Sequence, residues 1–103
     1  MSKHTPGPWT LTRTGDHKRW IVGNRQSTWG TEVAEVYSDD TDPDEAAANA
    51  RLIATAPELL VELRAVSAWL KRLAIAPPNQ MIGAALSEGV RRIDKAIDKA
   101  EGR

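Results

Sequence analysis

Between residues 52 and 73, apolar side chains return at intervals of 4, 3, 4, 3, 4 and 3: Leu52, Ala56, Leu59, Leu63, Val66, Leu70 and Leu73. That spacing gathers them on one face of an α-helix and scatters them on any strand. Ile53, Leu60 and Trp69 widen the stripe. A start signal stands at Asp42-Pro43-Asp44-Glu45, where Asp42 can cap, Pro43 suits the first helical position and Glu45 completes an acidic capping box. Pro57 interrupts the run, removing a backbone donor and disfavouring helical geometry at Ala56. Because the stripe keeps its phase on both sides, the pattern predicts one long helix over 42–74 with a kink near Pro57. Pro77-Pro78 ends it, and Asn79 caps a second helix over 79–101 whose stripe is Ile82, Leu86, Val90, Ile93 and Ile97. Gly83 and Gly89 each weaken that helix by about 1 kcal/mol relative to alanine, so it needs a packing partner. An antiparallel hairpin with the long helix supplies one.

Before residue 40 the chain is rich in Thr, Val, Trp, Gly and Asn, and afterwards in Ala, Leu, Arg and Glu, a shift from strand formers to helix formers. Residues 9–14, 19–22 and 32–37 read as strands. In the first, Trp9 and Leu11 share one face and Thr10, Thr12 and Thr14 the other. The other two alternate less cleanly, with Trp20 and Val22 opposite Arg19 and Ile21, and Val33 opposite Ala34 and Val36. Gly15 suits a tight hairpin turn. The expected fold is therefore α+β: a three-stranded antiparallel β-sheet within 1–38, then the long kinked helix and the antiparallel C-terminal helix. The chain's 103 residues fit a single domain spanning 1–103.

Composition narrows the function. Fourteen basic and fourteen acidic side chains leave no net charge, which disfavours general nucleic-acid binding. The chain contains no cysteine and only two histidines, so disulfides, thiolate chemistry and transition-metal sites are disfavoured, and neither a metal nor a cofactor is expected. The acidic run from Asp39 to Glu45 alternates carboxylates as a calcium loop does, but the sixth loop position would be Glu45 and the twelfth Arg51. Helix capping accounts for the same residues. His4 and His17 lack a neighbouring nucleophile signature, no serine sits in a nucleophile elbow, and the glycines are scattered singly rather than forming a phosphate loop. No catalytic residue is expected, so the chain reads as a non-enzyme. Met1 to Pro6 has no apolar h-region, and no stretch approaches the roughly 18 apolar residues of a membrane span. A cytoplasmic protein without a membrane partner is expected.

Binding remains. Indole faces stack on nucleobases at about 1–3 kcal/mol per base, and Arg13, Lys18, Arg19 and Arg25 neighbour Trp9, Trp20 and Trp29 in sequence. The competing role is burial beneath the helices, since each indole covers a large apolar area; at least one tryptophan is expected in the core. The wide helical stripe suggests a homo-oligomer, associating through Leu59, Leu63, Val66, Leu70 and Leu73. A minor enzyme would require His4 or His17 to approach Asp16, Glu32 or Glu35.

His4-Thr5-Pro6-Gly7-Pro8-Trp9, followed by Ala48-Asn49-Ala50-Arg51-Leu52-Ile53-Ala54-Thr55-Ala56-Pro57-Glu58-Leu59-Leu60, resembles a widespread set of small phage and prophage proteins. Thr55 stands where such proteins usually carry alanine. The resemblance implies a phage accessory gene acting on host physiology or defence, in the host cytoplasm. Physically, the prolines give a stiff entry that places Trp9 at the start of a strand, while Asn49 and Arg51 lie on a helix whose Leu52 and Ile53 face the core. The expected ligand-binding residues are Trp9, Arg19, Trp20, Asn49 and Arg51, and the expected activity is sequestration of a small nucleotide signal. The alternative is an inhibitor or adaptor that covers a host protein surface.

Overall fold

A computed structural model describes residues 4–15, 18–24, 31–37 and 42–102. It contains strands β1 (Thr10–Arg13), β2 (Arg19–Asn24) and β3 (Thr31–Tyr37) and helices α1 (Pro43–Ala74) and α2 (Gln80–Ala100). The strands form an antiparallel sheet in the order β1-β2-β3. This is the α+β fold that the composition change and the two stripes predict. The described helices are not long and apolar enough to cross a membrane.

Sheet register sorts the side chains. Leu11 pairs with Val22 and Val22 with Ala34, while Arg13 pairs with Trp20 and Trp20 with Val36, so these six residues share one face. Val22 is fully buried there. Arg19, Ile21, Glu35 and Tyr37 point the other way. Between Val22 and Gly23 the register shifts, so that Glu32 rather than Val33 pairs with Gly23. The extra residue turns Glu32 onto the face of Glu35; in a regular strand, residues three apart would point to opposite faces.

The chain divides into two compact units, Met1–Glu58 and Leu59–Arg103. In the first, the buried helix residues are Ala46, Ala50, Ala54 and Pro57, each three or four positions from the last. Their small side chains allow close backbone approach, and the helix runs on through Pro57 without a break. The start of α1 is capped as the sequence predicts, with the Asp44 N–H donating to the Asp42 carboxylate over 2.8 Å. One expectation is corrected: Leu52 does not face a core but is 64 % exposed, whereas Ile53 is half-buried. The buried face is carried by alanine, which a stripe drawn through the largest residues overlooks.

The second unit is an antiparallel helical hairpin. As residue numbers rise along α1 their partners fall from the C-cap of α2 into the helix: Arg64 pairs with Glu101 at 2.8 Å, while Ser67 donates to Asp94 at 2.6 Å and Lys71 pairs with Asp94 at 3.0 Å. Leu60, Ser67 and Ile97 are buried. Of the two weak points of α2, only Gly83 is tightly confined. A Cβ at Gly83 would lie 3.1 Å from Pro77, and one at Gly89 3.6 Å from Leu70. Asn79 caps α2, its side chain accepting from the Ile82 N–H at 2.9 Å.

Candidate functional site

The segment before β1 folds back on itself. The Thr5 carbonyl accepts hydrogen bonds from the Trp9 indole N–H at 3.0 Å and from His4 Nδ1 at 2.9 Å. Because a carbonyl can only accept, the proton on neutral His4 sits at Nδ1. The two rings meet edge to face at 6.4 Å. The Gly7–Pro8 peptide is cis, and the buried Asn24 amide donates to the Pro6 carbonyl at 2.7 Å. Gly7 lies directly against α1, where an added Cβ would stand 2.8 Å from Pro57 Cβ. The two stretches that carry the sequence resemblance are thus in contact within one unit.

Beside that contact a groove of about 310 Å³ opens, lined by Trp9 and Leu11 on one side and by Arg51, Ala54, Thr55 and Glu58 of α1 on the other. Arg51 and Glu58 are exposed. The Thr55 hydroxyl donates to the Arg51 carbonyl at 2.7 Å, so it can offer only acceptor lone pairs to the groove. With its N–H used by Thr5, Trp9 contributes apolar ring surface. The groove therefore joins an aromatic wall to one cation and one anion.

Of the five expected ligand residues, the structure brings Trp9 and Arg51 together and leaves the others apart. The Arg13 guanidinium lies over the Trp20 ring at 5.4 Å. Arg19 pairs with Glu35 at 3.4 Å and lies over the Tyr37 ring at 5.9 Å. Asn49 is exposed on α1 and lines no part of this groove. Arg25 and Trp29 lie outside the described residues, as do Asp16 and His17. Leu11, Thr55 and Glu58 also line the groove without being among the expected ligand residues; the signal in the sequence is Glu58, two helical turns after Arg51.

On the other sheet face the bulge builds a charged cluster. The Tyr37 hydroxyl donates to Glu35 at 2.7 Å, and this bond, with those from Glu32 and Arg19, holds the Glu35 carboxyl below its ordinary range. Glu32 is pushed up, chiefly because it shares a hydrogen bond with Glu35 and secondarily by burial. His4, engaged with Thr5 and Trp9, makes no hydrogen bond to either carboxylate. In the helical hairpin, Asp94 is held low first by the Ser67 hydroxyl and then by Lys71. A carboxylate stabilised in its charged form is a poor proton acceptor, so this arrangement ties two helices together rather than activating Ser67. Among the expected interface residues, Leu59, Val66 and Leu73 are exposed and Leu63 and Leu70 half-buried.

A family model described as Salmonella phage P22 protein Y8K6 matches residues 1–103. No curated protein matches the chain, and no solved structure does.

Proposed function

The chain belongs to the Salmonella phage P22 protein Y8K6 family, and from that membership and the Trp9–Arg51 groove we propose a non-enzymatic phage accessory protein that sequesters a small nucleotide in the host cytoplasm. The observation that carries this reading is the groove itself, because a ring stacked on Trp9 would hold its phosphate within reach of Arg51. Its volume of about 310 Å³ lies at the small end of the roughly 300–1,000 Å³ of ligand pockets. Glu58 offsets the charge of Arg51, so a ligand with one phosphate suits the groove better than a triphosphate, and the Glu58 carboxylate is an acceptor for an exocyclic amino group. Native mass spectrometry against cyclic and linear nucleotides tests this. A stoichiometric adduct with a cyclic or linear monophosphate, weakened at least tenfold by Arg51→Ala with the circular dichroism unchanged, is expected. A bare protein across the panel would remove the proposal.

The second reading, an inhibitor or adaptor for a host protein, is favoured by apolar side chains around the α1–α2 turn, where Ile75 and Met81 are each 82 % exposed. A host protein retained by the intact chain and lost with Ile75→Glu or Met81→Glu would support it.

A further inference from the structure

Within the second unit, the face of α1 turned away from α2 carries Leu59, Val66 and Leu73, which are 46 %, 39 % and 45 % exposed, and Trp69, which is 55 % exposed. Glu62 is the charged residue among them, and no ion pair or hydrogen bond engages either Glu62 or Trp69 among the described residues. We propose that this strip is an antiparallel self-association surface, with a second copy of the chain as its occupant.

The order of residues on the strip supports a two-fold pairing. Leu59 and Leu73 lie seven positions before and after Val66, so an axis through Val66 sets Leu59 of one copy against Leu73 of the second copy and Val66 against itself. At 100° per residue, Leu63 and Leu70 fall on one flank of this line and Glu62 and Trp69 on the other. Inverting the second helix sets Leu63 against Leu70 of the second copy. On the other flank it sets the Glu62 carboxylate against the Trp69 indole of the second copy, whose N–H is a donor without a partner among the described residues. A parallel pairing would instead set Glu62 against Leu63, leaving both the carboxylate and the indole N–H without a polar partner. The antiparallel arrangement also aligns the two helix dipoles favourably.

The strip is roughly 21 Å long at 1.5 Å per residue, shorter than the seams of permanent coiled coils. Specific stable interfaces bury about 1,200–2,000 Å², and a contact of this length falls at or below the lower end. A contact of this size suits a reversible association rather than a permanent one. It does not depend on the Trp9–Arg51 groove being occupied.

The test is sedimentation equilibrium of the full chain over a hundredfold range of concentration, paired with disulfide trapping, which the absence of native cysteine makes clean. The expected mass rises from 11.3 kDa toward twice that value, and Val66→Glu, which meets itself at the axis, weakens association by more than tenfold while circular dichroism stays unchanged. Should that variant unfold, orientation still decides the matter: L59C mixed with L73C is expected to give the mixed disulfide, and L59C alone little or none. A chain that stays single at every concentration overturns the proposal, as does a preferred L59C homodimer. A strip that captures a host protein while the purified chain remains monomeric would also overturn it.

Discussion

The two units bury different kinds of surface. In Met1–Glu58 the interior side of α1 is built from Ala46, Ala50, Ala54 and Pro57, with Gly7 pressed on Pro57; in Leu59–Arg103 the interior is built from Leu60 of α1 and Ile97 of α2, with polar ties at Ser67 and Asp94. The first gains stability from close approach of small groups, the second from the volume of large ones. One helix therefore follows two packing rules along its length.

The largest expected effect tests the volume rule. Ile97→Ala removes buried methylenes from the hairpin and should cost about 2–5 kcal/mol in urea denaturation. The mirror test in the first unit is Ala50→Leu, which adds volume where none is free and should cost about 1–3 kcal/mol. Leu52→Ala, two residues on and on the exposed side, should stay within about 0.5 kcal/mol. If Leu52→Ala proves the more costly of the two, the assignment of the buried face is wrong. Glycines sharpen the same contrast. Gly7→Ala forces its methyl onto Pro57 Cβ, which cannot swing away, and should cost about 1–3 kcal/mol. Gly89→Ala meets only ordinary contact with Leu70, so helix propensity should dominate and raise stability by up to about 1 kcal/mol.

How much of this could be read in the sequence follows from the same difference. Residue type and period announce α2, since Asn79, the apolar stripe and the two prolines before it have local meanings. The strands are legible to within two residues; β2 runs on to the buried Asn24 because a distant carbonyl, that of Pro6, satisfies its amide. The buried face of the first half of α1 is not legible, because alanine is common on both sides of a helix and only tertiary contact selects one. The bulge that brings Glu32 beside Glu35 leaves no mark in the residue pattern. Of the candidate site, Trp9 and Arg51 are visible as an aromatic and a cation in two motifs, but that the motifs touch depends on Gly7 and Pro57 fitting together. Trp20 and Arg19 satisfy the same search by type and are instead matched with Arg13, Glu35 and Tyr37 across the strands.

The smallest effect separates the units by acidity. Asp94 is held below its ordinary value by Ser67 and Lys71, so its contribution is complete above the unfolded carboxylate value of about 3.9 and is lost as pH falls through the lower folded value. Glu88, held low by Arg91, acts in the same direction. In the sheet unit the shifts oppose each other. Glu35 is low and loses its contribution in acid, while Glu32 is raised, so its protonation on acidification relieves an unfavourable charge beside Glu35. Amide exchange, corrected for its intrinsic pH dependence, should show α2 losing protection below the ordinary carboxylate range while β2 changes less. Asp94→Asn should shrink the acid-dependent α2 loss to the share that Glu88 supplies and leave β2 as it was. Equal losses in both units would mean that the ties at Ser67, Lys71 and Asp94 do not distinguish the hairpin from the sheet.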